Sequence, residues 1–343
     1  MTLPATMKAL IQRHDGYADT STGLELADAG EWMELGEVPV PTPGPGQALV
    51  RVALSPVNPS DVHFLKGEYG QPRRKGSPAG FEACGEVVAA GEGAEGLVGK
   101  RVAFVATASG TWAEYALTDG AMCIPLIDGV RDEDGSALIV NPLTALAMFD
   151  IPRQQGCAFV ATAAGSQLGK LLAGLSKDHD VPMIAVVRRQ AVADQVAALG
   201  ARVALATEDP EFQAKFAAAC KELKPRVLLD AVGDQVTADM FFAMPNHTQW
   251  ISYGKIATEP PALTQMGQFI FTGKTIGGFW LSKWLKEAPA DRRMAVVGEA
   301  LQRFASGAWG IDEAARLSLD EAVGGFAEAW GKGGGKVFIA PGA

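Results

Sequence analysis

Hydrophobic positions follow two rhythms along the chain. Over the first 125 or so residues they come as short runs broken by Gly and Pro: QALVRVAL (47–54), CGEVVAAG (84–91), KRVAFVA (100–106) and TWAEYAL (111–117). That spacing predicts short strands joined by turns, in a small barrel or sandwich. Residues 14–36 are polar and predict a loop or hairpin excursion. The rhythm changes after residues 128–151. CAFVAT (157–162) is a continuous apolar run, suited to a strand buried on both faces. A helix is predicted from about Ser166 to His179. MIAVV, RVALA, RVLLDAV, QWISYG and TIGGFWL follow as strands, with helical QAVADQVAALG and EFQAKFAAACKEL between the first three. Apolar runs alternating with amphipathic helices predict a doubly wound parallel sheet. No fixed-period repeat is present, and GKGGGKVFI (331–339) reads as a turn into a last strand.

Composition narrows the class. A chain of 343 residues is too long for one ordinary core, so two domains are expected. No apolar run reaches membrane-spanning length. A net charge of −9 argues against a general nucleic-acid surface, which needs clustered Lys and Arg. The opening MTLPATMKALIQRHDG lacks the apolar core of a signal peptide. Cys84, Cys123, Cys157 and Cys220 are isolated, forming neither a CxxC pair nor a disulfide framework, and read as inert thiols. The cytoplasm is the expected compartment.

Two stretches carry candidate chemistry. NPSDVHFLKGEYG (58–70) reads as a zinc site, a proton donor or a plain turn. TAAGSQLGK (162–170) follows the first buried strand and opens a helix, as a dinucleotide turn does. A GxGxxG fingerprint ending at Gly169 needs glycines where Ala164 and Ser166 stand; only Gly169 fits, with Gly165 shifted by one. Small residues there let a backbone approach a pyrophosphate, which sits on the helix N-terminus. The alternative is a Gly-rich turn with no ligand. The next strand ends in Arg188 and Arg189, where an NAD site usually ends in an acid. Paired guanidiniums attract a 2′-phosphate, whereas cations oppose the dipole of a helix N-terminus that binds no anion. NADPH is therefore the expected cofactor.

The β-rich first half, SPAGFEACGEVVAAGEG (77–93), GTWAEYAL (110–117), the βα turn and ALGA (198–201) resemble the medium-chain dehydrogenase/reductase superfamily, from about Met7 to Ile339. The resemblance implies an α/β protein: a GroES-like catalytic domain of residues 1–127 and 286–343 around a Rossmann domain of 128–285. Zinc alcohol dehydrogenases of that superfamily carry a Cys ligand where this chain has Asn58 and a His ligand where it has Phe81. Phenylalanine cannot bind a metal and an amide is a poor zinc ligand, so no metal is expected.

NPSDVHFLKGEYG, VNPLTALAMF (140–149) and GFWLSKW (278–284) together are similar to the zinc-free branch of mitochondrial-type trans-2-enoyl-thioester reductases and NADPH:quinone oxidoreductases. The resemblance implies Tyr69 as proton donor, Thr144 at the nicotinamide end and Trp280 in the acyl pocket. Asn58 or backbone N–H groups are candidates to steady an enolate oxygen. The expected cofactor-binding set is Asn141, Thr144, Ala164, Gly165, Ser166, Gln167, Leu168, Gly169, Arg188, Arg189, Tyr253, Phe279, Trp280 and Lys336; the expected pocket is Tyr69, Trp280 and Trp284. Structural alternatives stand beside these: a half-buried turn residue for Tyr69, packing of an edge strand for the two tryptophans, a helix cap for Asn141 and Thr144. Three functions follow: reduction of an enoyl thioester or enone, quinone reduction, or a non-catalytic binding or structural role on the same fold. A small-molecule substrate and a homodimer are expected, the latter because QFIFTGKTIGGFWL (268–281) reads as an apolar strand at the sheet edge.

Overall fold

The computed structural model describes residues 3–342; residues 1, 2 and 343, which the expected domain bounds include, lie outside the described residues. The chain divides into two compact units, Met1–Val140 with Val297–Ala343, and Asn141–Val296.

The first unit begins with strands β1 (Thr6–Gln12) and β2 (Met33–Pro39), paired antiparallel. β3 (Gln47–Pro56) leads into helix α1 (Pro59–Leu65). β4 (Glu82–Ala90), β5 (Arg101–Val105), β6 (Tyr115–Asp119), β7 (Cys123–Pro125) and helix α2 (Asp132–Ser136) follow. α1 forms because Pro59 pre-sets its first turn and the Asp61 carboxylate accepts from the Asn58 backbone N–H at 2.7 Å, half of a capping box. The first half of NPSDVHFLKGEYG is thus a helix where a turn was one reading of the stretch.

The second unit begins with helix α3 (Val140–Gln155) and strand β8 (Phe159–Ala161). Then come α4 (Gln167–Asp178), β9 (Met183–Val187), α5 (Gln190–Leu199), β10 (Val203–Ala206), α6 (Phe212–Leu223), β11 (Val227–Asp230), α7 (Gln235–Ala243), β12 (Gln249–Ser252), α8 (Gly267–Phe271), β13 (Thr275–Gly278) and α9 (Leu281–Glu287). The six strands form one parallel sheet in the order β10-β9-β8-β11-β12-β13. Strand order reverses between β8 and β11, the switch point at which open α/β sheets bind ligands. Its core joins Val160, Ile184, Phe216, Leu228, Phe241 and Trp250.

The predicted strand over 268–281 is largely not a strand. Gln268–Phe271 belong to α8, and only Thr275–Gly278 pair with β12. Between them Lys274 is drawn inward, donating to the carbonyls of Phe241 and Phe242 at 2.6 and 2.9 Å at the C-terminus of α7. That tertiary demand cuts the apolar run in two. Trp280 and Trp284 likewise leave the edge strand for the start and middle of α9.

Helix α10 (Ala290–Ala305) returns the chain to the first unit, which ends in β14 (Glu313–Leu317), α11 (Leu319–Lys332) and β15 (Lys336–Ile339). β15 pairs with β3, giving the order β14-β15-β3-β4-β5-β7, with β6 on β3. α11 starts at a capping box of Ser318 and Glu321. It buries Leu319, Ala322, Phe326 and Ala329, one helical face, against Leu10, Val62, Leu65 and Trp112. Burying Phe326 alone contributes roughly 1.5–3 kcal/mol. The first cut falls after Val140 because Glu82 accepts from the N–H groups of Ile139 and Val140, tying that segment to β4.

Candidate active site

In the second unit, α4 is capped by Ser166, whose hydroxyl accepts from Gly169 N–H at 3.2 Å. A side chain at 169 would put its Cβ 2.4 Å from the Ala164 carbonyl oxygen, so glycine is required there for the helix to sit close on the turn. Ala163 sits at φ +48°, a left-handed conformation of the kind that clusters at ligand-binding turns. Ala164, Gly165, Ser166, Gln167, Leu168 and Gly169 therefore share one tight turn and the first turn of a 12-residue helix. Arg188 and Arg189 are exposed at the carboxyl end of β9. Asn141 and the buried Thr144 lie within the first turns of α3, not at its cap.

Beside the turn, at the carboxyl ends of β8, β11 and β12, lies a buried hydrogen-bond node. Asp230 accepts from the Thr162 hydroxyl (2.6 Å), the Trp250 indole (3.0 Å), Val232 N–H (3.0 Å) and the Thr237 hydroxyl (3.3 Å). Tyr253 follows β12, its hydroxyl buried with no hydrogen-bond partner among the described residues. Burial, then the nearby Asp230, pushes its phenol up from the usual value. An orphaned buried hydroxyl at a switch point, a close-packed βα turn and two exposed arginines fit a dinucleotide carrying a 2′-phosphate. Phe279 and Trp280 follow β13 at the same edge of the sheet.

In the first unit, Asn58 is almost wholly buried and joins two strands. Its Nδ2 donates to Glu82 at 2.8 Å, and its Oδ1 accepts from Lys336 Nζ. Asp61 closes the group, accepting from the N–H groups of Asn58 at 2.7 Å and Phe81 at 3.0 Å. Burial raises Asp61 to about 7; Glu82 adds to the rise, while its two backbone donors and Lys336 oppose it. Glu82 is raised too, by burial. Burial lowers Lys336, against the pull of the two carboxylates. Lys336, expected to hold a cofactor, is instead bonded inside this group.

Tyr69 lies just past α1, half-buried, its ring 5.1 Å from that of Phe81, which also meets Phe64 at 4.9 Å. The charged residues before it are engaged with one another. Glu68 accepts from His63 Nδ1 (3.0 Å), Ser21 Oγ (2.9 Å) and Thr22 N–H (2.7 Å), with Lys66 Nζ at 3.8 Å. Burial works to raise Glu68, but these donors more than offset it and hold it down at about 2.

Residues 44–128 match the alcohol dehydrogenase GroES-like domain. The chain is 27% identical over 300 residues to the mitochondrial enoyl-[acyl-carrier-protein] reductase of Bos taurus, covering 84% of this chain and 76% of that protein. A proposed NADPH:quinone reductase from Mesorhizobium loti is 46% identical, with a TM-score of 0.95 over 99% of this chain and 100% of the other. The chain belongs to the medium-chain dehydrogenase/reductase superfamily. A mitochondrial 2-enoyl thioester reductase heterodimer from Candida tropicalis shares the fold at 20% identity, with a TM-score of 0.78 over 98% of this chain and 99% of the other.

Positions 58 and 81, where the resemblance implies ligands in the zinc alcohol dehydrogenases, hold Asn58 and Phe81 in this chain. Phe81 packs on Tyr69, and Asn58 bridges Glu82 and Lys336. Among the described residues no group of three or more His, Cys, Asp or Glu is placed to hold a metal ion. Sequence reading missed Asp61, Glu82, Glu68 and Asp230. The available signal was a charged residue beside an apolar run, as in VLLD (227–230) and GFEACG (80–85).

Proposed function

We propose that this NADPH-dependent oxidoreductase reduces an activated carbon–carbon double bond, in an enoyl thioester or enone, without a metal, and that Tyr69 donates the proton. The observation that carries the reading is Tyr69 itself: a phenol braced by Phe81 and preceded by the fully engaged Glu68 carboxylate. The curated relatives of the chain include mitochondrial enoyl-[acyl-carrier-protein] reductases. NADPH, when bound, would supply the hydride that goes to the carbon β to the carbonyl. Negative charge then builds on the carbonyl oxygen, and the α carbon needs a proton. A phenol ionises at about pH 10, so at neutral pH it still holds the proton it gives. Asn58 bonds at both ends inside the buried group, so we assign it to holding α1, β4 and β15 together rather than to the enolate oxygen.

The test is an acceptor screen. Purified protein, with NADPH and a chelator present throughout, is assayed against enoyl thioesters, enones and quinones. Turnover of an enoyl thioester or enone supports the proposal; activity that appears only when zinc is added back overturns the metal-free reading. Quinone reduction is the second reading, favoured by the 46% identity to the Mesorhizobium loti protein. It needs a flat apolar slot and no dedicated acid, and turnover of quinones alone would establish it.

We assign Arg188 and Arg189 to the 2′-phosphate. A charge-assisted hydrogen bond contributes about 1.5–3 kcal/mol, so losing either arginine should weaken NADPH binding roughly 10- to 100-fold and leave NADH binding unchanged. Equal wild-type affinity for the two cofactors, by fluorescence titration, would refute the assignment.

We also propose a homodimer through the edge of the parallel sheet. β13 is the edge strand and all four of its residues are exposed, with Ile270 and Phe271 beside it 76% and 83% exposed. A bare edge flanked by apolar side chains invites pairing with a second copy about a two-fold axis. Light scattering at micromolar concentration should give twice the chain mass, and Ile276→Lys should halve it.

A further inference from the structure

The polar excursion of residues 14–36 is stitched to the chain on both sides of Tyr69. Before it, Ala18 N–H donates to the Gly67 carbonyl at 2.9 Å, and Thr22 N–H and Ser21 Oγ donate to Glu68. Lys66 Nζ reaches back to the carbonyls of Gly23 and Glu25 at 2.6 and 2.8 Å. After it, Gly16 and Arg73 exchange both backbone bonds at 3.1 Å, and the Arg73 side chain donates to the carbonyls of Gly16 (3.1 Å) and Asp15 (3.3 Å).

The fit is close. Gly67 has φ +74°, and a Cβ there would lie 2.7 Å from the Ala18 nitrogen, so only glycine fits under the excursion. The excursion is anchored in turn to the core. Trp330 Nε1 donates to the Leu24 carbonyl at 3.0 Å, and Leu26, Ala29 and Met33 pack in the cluster that α11 covers. The side chains of Lys66 and Glu68 are each only 2% exposed. Buried ions are costly unless well paired, and here both are paired to the excursion. Between the two attachments only residues 69–72 are left, so the excursion sets where Tyr69 can stand.

We propose that residues 15–25 form a positioning element for Tyr69, with Glu68 the positioning residue that joins the two. The proposal rests on Tyr69 being the proton donor. A reacting group displaced by about 1 Å can lose on the order of 100-fold in rate, so a partial loosening should cost about 10-fold.

The experiment compares wild type, Glu68→Gln, the milder Ser21→Ala/Thr22→Val, Tyr69→Phe, and Glu68→Gln combined with Tyr69→Phe. Amide hydrogen exchange is followed in peptides covering 15–25 and 66–71, beside kcat for an enone and NADPH affinity. Glu68→Gln should speed exchange in both peptides, lower kcat about 10-fold and leave NADPH affinity alone. In the Tyr69→Phe background it should cost nothing further, because it acts through the tyrosine. Unchanged exchange at 66–71 would overturn the positioning element, and so would an equal kcat loss in both backgrounds. If Tyr69→Phe leaves kcat at the wild-type value, the proton-donor role fails, and the exchange result still decides whether 15–25 holds 66–71. Should Glu68→Gln not fold, Ser21→Ala/Thr22→Val makes the same comparisons, since it removes two hydroxyl donors to Glu68, Ser21 Oγ at 2.9 Å and Thr22 Oγ1 at 3.2 Å, and keeps the carboxylate and its bond from Thr22 N–H.

Discussion

Tyr69→Phe should lower kcat for an enone or enoyl thioester by about 10²- to 10⁴-fold, the range general acid catalysis supplies. The substitution keeps the ring and its 5.1 Å contact with Phe81 and removes only the hydroxyl. NADPH affinity should not move, because the substitution leaves every residue proposed to hold the nucleotide, the βα turn, the two arginines and Tyr253, unchanged. Melting temperature should change little for the same reason of conserved packing. Quinone turnover should survive, since a reduced quinone takes its protons from water. One variant with two acceptors thus separates the two functions. Wild-type rates with both acceptors would make Tyr69 structural and end the enoyl mechanism as drawn.

Lys336→Met should destabilise the protein, and more at pH 8 than at pH 5.5. Lys336 is the cation of a buried group whose other members are Asp61, Glu82 and the neutral Asn58. Removing one partner of a buried ion pair costs about 3–5 kcal/mol. At roughly 2–4 °C per kcal/mol for units of this size, the melting point should fall by about 10 °C at pH 8.

The pH dependence follows from linkage. Asp61 has its folded pKa raised to about 7, so the native state binds a proton that the unfolded chain has already released. Its contribution to stability is present below the unfolded value and is lost as pH rises towards 7. Without Lys336 both carboxylates shift further up, so the loss continues above 7. Lys336 itself is shifted down, which favours the wild type as pH rises, and the variant forfeits that too. Equal losses at the two pH values would show that the three groups are not coupled. A changed NADPH affinity with an unchanged melting point would return Lys336 to the cofactor.

Most of the parallel sheet was legible because β8, β9, β10 and β11 are short apolar runs, the first three each followed by a helix with one apolar face. Ser166 and His179, read as the limits of the first such helix, are the residues that flank α4. The nucleotide turn was legible for a related reason: strand, turn and helix are neighbours in sequence, and the demand for Gly169 arises within six residues of Ala164. The run over 268–281 misled because a short apolar stretch is compatible with helix or strand. What decided it was the C-terminus of α7, whose carbonyls take the Lys274 ammonium.

The zinc-ligand positions were readable as Asn58 and Phe81, but not what those residues do instead. Asn58 meets Lys336 across 278 residues of chain, and no local pattern announces that. The residues around Tyr69 posed the same difficulty. Nothing local in the sequence marks His63, Lys66 and Glu68 as buried together, yet in the fold Lys66 and Glu68 are bonded to residues 21–25 and His63 to Glu68. Sequence by itself determined the elements whose stability is local or periodic, most of the parallel sheet with its first helices and the nucleotide turn, while the choice of Tyr69 as candidate acid came from the family resemblance. Tertiary structure alone decided where buried charges find partners, because a desolvated ion is tolerated only where distant segments bring it donors or counter-charge.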